Sequence, residues 1–284
     1  MTTPRPYRSV FSPDLLSGQV IMVTGGGSGI GRCTAHELAS LGAHVVLVGR
    51  NPDKLTATVQ EITGDGGQAS WHSCDIRRED DVKAMVAQVV QQHGRIHGLV
   101  NNAGGQYISP LAKTSAKGWQ AVIDTNLTGG FLVARECFNQ SMQQHGGAVV
   151  NIVADMWGSM PGMGHSGAAR AGMVSFTETA SLEWAAQGVR VNAVAPGYIA
   201  SSGMDHYPPE AGPDVARNAQ HGATRPFWHR GRNVSSHCVF ALARCQLYQR
   251  HGAARGRCPP ANAHGLAAGR GATRCATTRC RQTL

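Results

Sequence analysis

The residues most capable of chemistry in this chain form one stretch, Thr24-Gly25-Gly26-Gly27-Ser28-Gly29-Ile30-Gly31. Glycines let a backbone turn tightly and approach phosphate closely, and a helix N-terminus supplies free N–H groups and the positive end of a dipole. The flanks supply both neighbours. Val20-Ile21-Met22-Val23 is an apolar run of strand formers, Cys33, Ala35, Leu38 and Leu41 continue as a helix, and residues 43–48 read as a second strand. A lone glycine motif can be an ordinary turn. Inside a strand–turn–helix–strand unit it predicts a cradle for a dinucleotide pyrophosphate, built on Gly25, Gly27, Ser28, Gly29, Ile30 and Gly31.

The second strand ends at Val48-Gly49-Arg50-Asn51. A site for an unphosphorylated ribose usually has an acid here to take the 2′-hydroxyl. This chain has none and offers Arg50, whose forked guanidinium suits a 2′-phosphate. The expected cofactor is therefore NADP(H). The alternative for Arg50 is a solvent-facing arginine.

These residues need a frame. Helices are expected over residues 53–62, 78–93, 119–138 and 166–186, and further strands over 69–74, 96–100, 148–153 and 189–194. The helix over 78–93 carries Glu79, Asp80 and Asp81 in its first turn and buries Val82, Met85, Val86, Val89 and Val90. Strands alternating with helices predict a parallel sheet covered on both faces. Residues 1–19 read as a loose arm. The chain shows no membrane-length apolar window and no secretory signal, which predicts a cytoplasmic or organelle-matrix protein without a membrane partner.

Charge divides the chain. Up to Glu210 there are 14 Lys+Arg and 16 Asp+Glu, a net of −2; from Ala211 onward there are 12 Arg, no Lys and one acid, Asp214, a net of +11, and together these give the overall +9. The basic balance therefore says nothing about the body over residues 20–210.

The motifs Thr24-Gly25-x-x-x-Gly29-x-Gly31, Asn101-Asn102-Ala103-Gly104, Asp124-Thr125-Asn126-Leu127 and Pro196-Gly197 stand in an order and at spacings that resemble the short-chain dehydrogenase/reductase superfamily. The resemblance implies a single Rossmann-type, doubly wound parallel sheet. It also implies that Asp75 and Ile76 flank the adenine, that Asn102, Ala103 and Gly104 line the cofactor, and that Pro196, Gly197 and Ile199 hold the nicotinamide. Homo-oligomers are usual in such proteins.

The superfamily pattern also has a Ser and a Tyr-x-x-x-Lys before an Ala-Gly. Here the lysine position holds Arg170, the tyrosine position Ser166 and the serine position falls near Ala154. An arginine gives charge and hydrogen bonds but shares no proton. Ketone reduction needs a proton donor at the carbonyl oxygen. Reduction of a thioester-conjugated C=C bond instead puts hydride on the β carbon and builds negative charge on the thioester oxygen, which needs preorganised donors. His165-Ser166-Gly167-Ala168-Ala169-Arg170-Ala171-Gly172, Asn101 to Gln106 and the arm from Tyr7 to Val20 resemble the peroxisomal trans-2-enoyl-CoA reductases and their bacterial relatives, with the 2,4-dienoyl-CoA reductases as close cousins. The eukaryotic enoyl-CoA reductase keeps a Tyr and a Lys where this chain has Val174 and Glu178.

The resemblance implies an acyl-CoA-type substrate. Ser166 is the candidate donor to the thioester oxygen, with capping of its helix as the alternative. Arg170 is the candidate for fixing the nicotinamide ribose and supplying charge, with a structural pairing as the alternative, and Asn126 for holding a water or a backbone group. His165 is a candidate proton source, with a plain loop residue as the alternative. Asp155 and Trp157 follow a strand end and receive no role. Other readings are a 2,4-dienoyl-CoA reductase, an alcohol or carbonyl dehydrogenase with an altered acid, and an NADP-binding protein without chemistry.

After Glu210 the texture changes to Arg, Ala, Gly, Cys, His and Pro. The cysteines and histidines show no paired C-x-x-C, so no metal site is expected. The absence of lysine and the scarcity of aromatics argue against nucleic acid. A shifted reading frame explains the tail better. Back-translating residues 240–258 one base later permits Leu-Leu-Ser-Pro-Gly-Ala-Ser-Phe-Ile-Ser-Gly-Thr-Val-Leu-Arg-Val-Asp-Gly-Ala, the ending such a reductase has. The shift falls between Glu210 and Gly222. The expected consequence is a sheet lacking its normal last strand, with an exposed edge, followed by a disordered tail over 211–284.

Overall fold

The structure, a computed structural model, describes residues 11–197, 199–200, 228–229, 237–239 and 242. All of them lie in the unit Met1–Ala253. The elements in order are β1 (Val20–Thr24), α1 (Gly29–Ser40), β2 (His44–Gly49), α2 (Pro52–Gly64), β3 (Gln68–Ser73), α3 (Glu79–His93), β4 (Gly98–Asn101), α4 (Ala116–Ile123), α5 (Gly129–Cys137), a short α6 (Gln143–His145), β5 (Gly147–Ile152), α7 (Gly164–Glu183), β6 (Val189–Val194), β7 (Ile199–Ala200) and β8 (Trp228–His229).

Six strands form one parallel sheet in the order β3-β2-β1-β4-β5-β6. Successive β1 residues part to opposite faces, as the two-residue period of a strand requires. Ile21 and Val23 pack with Leu38 of α1, Leu41 just after it and Leu55 of α2, while Val20 and Met22 pack with Val82, Val86 and Val133 from α3 and α5. Strands buried on both faces explain the unbroken apolar runs in the sequence. The buried face of α3, Val82, Met85, Val86 and Val89, contributes roughly 1.5–3 kcal/mol per side chain. The strand order reverses between β1 and β4, and sheets of this kind bind ligands outside the carboxyl ends of the strands at such a point. Among the described residues, no strand pairs with the outer edge of β6 and no helix is long and apolar enough to cross a membrane.

Three features differ from expectation. The helix expected over 119–138 is built from α4 and α5 joined by a π-helical turn, Asp124–Thr128. The described part of the arm is not loose: Leu16 is fully buried and its N–H donates to Leu41 O at 2.9 Å. The tail also contributes to the core. Residues 237–239 are helical, Cys238, Val239 and Leu242 are buried on the face shared with α1 and α2, and Arg190 donates to Leu242 O. The stretch where a frame shift is expected, 210–222, lies outside the described residues, as does most of 211–284.

Candidate active site

Thr24 ends β1, and its Oγ1 accepts the N–H groups of Asn102 (3.0 Å) and Ala103 (2.9 Å). The Asn102 amide donates back to Thr24 O at 2.9 Å and to Gly25 O at 3.4 Å. The ends of β1 and β4 are thereby stitched together beneath the glycine turn. Gly25 has φ +67°, and a Cβ there would lie 2.9 Å from the Asn102 amide nitrogen and 3.0 Å from Ala103 Cα. A Cβ on Gly31 would collide with Gly25 O, and one on Gly27 would lie 3.0 Å from Lys54 Cβ. Ser28 stands at the N-cap of α1 with no side-chain cap bond, and Ile30 packs its side chain toward the core. Side chains at these three glycines would collide with the surrounding protein, so the turn can be this tight only with glycine, and the free first-turn N–H groups of α1 that follow it fit a dinucleotide pyrophosphate.

Arg50 is exposed directly after β2. Asp75 follows β3, and its carboxylate takes Arg77 in a two-pronged ion pair at 2.8 and 2.5 Å. Those hydrogen bonds, against some desolvation, hold its pKa at about 2. Ile76 is buried against Gly129, so of the two residues expected at the adenine only Asp75 brings its side chain to the surface. Pro196 O accepts the Asp155 N–H at 3.1 Å, Gly197 is open, and Ile199 packs against the core beside them.

Asn126 sits in the π-helical turn, 2% exposed. Its amide donates to Val122 O (2.8 Å) and Gly105 O (2.7 Å), and its Oδ1 accepts Gly105 N–H at 3.2 Å. Of the two groups it was expected to hold, it holds backbone. Arg170 Nη1 donates to Ile152 O at 2.6 Å, and Nε is buried without a partner. Burial pushes its pKa down to about 10, so it stays charged at neutral pH.

Ser166 lies inside the first turn of α7, whose N-cap is Met163, so it is not the cap. It is fully buried, and its hydroxyl donates to Gln106 Oε1 at 2.7 Å. His165 is 1% exposed, accepts the Ser166 N–H on Nδ1 at 2.7 Å, and packs its ring 4.5 Å from that of Tyr107. Ala154 is half-buried, and Asp155 and Trp157 are exposed.

The structure thus joins Ser166, Arg170 and Asn126 to one loop, residues 104–107. Gln106, the partner of Ser166, had no assigned role in the sequence. Also unassigned were Asn101, Asn151 and Thr177, a buried chain in which Asn101 donates to Asn151 Oδ1 (3.0 Å) and Asn151 to Thr177 Oγ1 (2.8 Å). Their signal was an asparagine at the end of, or inside, an otherwise apolar strand, since a buried polar group needs a partner.

The sequence profile of the short chain dehydrogenase family matches residues 19–211. A solved structure titled "citronellol catabolism dehydrogenase (AtuB)" from Pseudomonas aeruginosa PAO1 is 57% identical, with a TM-score of 0.75 over 84% of this chain and 92% of that one. A probable 2,4-dienoyl-CoA reductase of Bacillus subtilis is 38% identical over 65% of this chain and 74% of its own. A 3-oxoacyl-[acyl-carrier-protein] reductase of Synechocystis sp. is 40% identical over 66% of this chain and 76% of its own. With the parallel sheet and glycine turn described above, the chain belongs to the short chain dehydrogenase family of NAD(P)H-dependent oxidoreductases.

Proposed function

We propose that the chain is an NADPH-dependent reductase of the C=C bond of trans-2-enoyl-CoA thioesters. The observation that carries this reading is the Ser166–Gln106 bond. An amide oxygen already accepts the Ser166 hydroxyl at 2.7 Å, where a thioester oxygen can take its place. When bound, NADPH supplies the hydride that the β carbon of the substrate receives. Negative charge then grows on the thioester oxygen, a preorganised donor stabilises it with little reorganisation, and the enolate collapses by taking a proton from solvent water at the α carbon. Arg170, held on Ile152 O, adds fixed positive charge at the nicotinamide side. Asn126 holds the Gly105 backbone and so keeps Gln106 in register with Ser166. Arg50 supports the choice of NADPH over NADH.

A dienoyl-CoA places the same demand on the site, and the Bacillus relative favours it as a second reading. The Pseudomonas structure favours a dehydrogenase reading. Against that stands the lack of a proton-sharing pair at positions 166 and 170, since alcohol oxidation needs a base at the reacting oxygen. The test is NADPH oxidation with crotonyl-CoA, a 2,4-dienoyl-CoA and a ketone, and NADP+ reduction with an alcohol. Turnover of crotonyl-CoA fastest supports the proposal. Turnover of the ketone or the alcohol alone overturns it, and NADPH binding without any turnover marks a cofactor-binding protein that has lost its chemistry.

A further inference from the structure

We propose that His165 is a second hydrogen-bond donor to the substrate's carbonyl oxygen, acting through Nε2–H. The inference rests on the thioester-reductase reading and deepens it.

The tautomer follows from geometry. His165 Nδ1 accepts the backbone N–H of Ser166 at 2.7 Å. A nitrogen that accepts a hydrogen bond carries no proton, so the ring's N–H is at Nε2. That atom is buried and has no hydrogen-bond partner. Native proteins leave few buried donors unpaired, and those that persist are commonly strained, catalytic or waiting for a partner.

The surroundings point to a waiting partner. His165 and Ser166 are consecutive in the opening turn of α7, and each meets one of two consecutive residues of the loop after β4. Ser166 Oγ donates to Gln106, and the His165 ring packs edge-on against Tyr107. The loop is tied down nearby by Ser109 N–H on Gly162 O at 2.7 Å. Tyr107 is itself 38% exposed, so the ring that packs edge-on against His165 reaches the surface. A substrate oxygen that takes the place of Gln106 Oε1 and displaces the Tyr107 ring receives both donors.

This assigns His165 a different task from the proton source expected of it. A ring with no proton on Nδ1 would be left as imidazolate if it gave up its Nε2 proton. It therefore donates a hydrogen bond and keeps the proton, as a neutral imidazole does when it polarises a carbonyl.

Three variants of the full chain test this: His165→Asn, His165→Gln and His165→Phe. Asparagine can still accept the Ser166 N–H but ends short of Nε2. Its kcat for crotonyl-CoA is expected to fall about 100-fold, the usual effect of losing one such donor, with NADPH affinity unchanged. Glutamine carries an amide N–H to the reach of Nε2 and is expected to recover most of that loss. Phenylalanine removes the unpaired N–H together with the acceptor of the Ser166 N–H, so kcat should fall at least as far as in the asparagine variant. Wild-type kcat in the asparagine and phenylalanine variants overturns the inference, leaving Nε2 as an unpaired atom only. Equal losses in the asparagine and glutamine variants, with weakened NADPH binding, overturn it in favour of a packing role. If the wild-type chain binds NADPH and reduces no thioester, the functional reading fails and this inference falls with it; thioester turnover insensitive to these variants removes the inference alone.

Discussion

Arg170 and Asn126 converge on one glycine. A Cβ at Gly104 would lie 2.6 Å from Arg170 Nη2 and 2.7 Å from Asn126 Oδ1. The guanidinium and the carboxamide come from different helical elements, yet both are set by the absence of one side chain. The loop that carries Gln106 begins at that point.

Gly104→Ala should therefore cost turnover more than stability. The extra carbon forces either Arg170 or Asn126 aside, and displacements of that size cost about 100-fold in rate. Overpacking costs about 1–3 kcal/mol. A thermal melt read beside NADPH oxidation with crotonyl-CoA checks both, and wild-type turnover would contradict the geometry.

Arg170→Lys should lower turnover about 10- to 100-fold, because one ammonium cannot span Ile152 O and the face of Gly104 as a fork does. In the wild type, burial lowers the Arg170 pKa to about 10. Charge at this group is complete below that value and is lost as pH rises through it. The pH–rate profile should show no loss from Arg170 across neutral pH and a decline on approaching 10.

Arg50→Ala should weaken NADPH binding about 10- to 100-fold, the worth of a charge-assisted hydrogen bond to phosphate. NADH binding should not change. Calorimetric titration of both cofactors separates this from general damage to the glycine turn.

Acid should destabilise the fold through histidines. Burial lowers the pKa values of His44, His93 and His97 below the ordinary 6.5, and the His44 and His93 rings lie 4.4 Å apart. The unfolded chain then binds more protons as pH falls through 6.5. Stability should be full above that value and decline toward the lowered folded-state values. His93→Leu should flatten this decline, as measured by melts at about pH 7.5 and about pH 5.5.

Leu242→Asp should destabilise the protein by about 3 kcal/mol or more, since it buries an unpaired charge. Leu242 is 5% exposed, and its Cδ2 would lie 3.0 Å from a Cβ on Gly98. Denaturant unfolding measures the change. A neutral effect would mean that the tail has no part in the core.

The order of strands and helices was legible because periodicity is a local property of the chain. The helix expected over 78–93 is α3 (Glu79–His93), and the strand over 189–194 is β6. The glycine turn was legible for the same reason: its tight bend and its following helix are neighbours in sequence. Composition misled where it averaged over distance. The arginine-rich tail hid Cys238, Val239 and Leu242, three residues that the core takes up, and a proline-bearing arm hid Leu16. Tertiary structure alone decided the partners. Ser166 meets Gln106 across 60 positions, and Asn101 meets Asn151 across 50. No spacing rule foretells such pairs, because a hydrogen bond depends on separation in space and sequence patterns report only separation along the chain. The tautomer of His165 is of the same kind: the ring's chemistry belongs to the residue, and its neighbours choose which nitrogen keeps the proton.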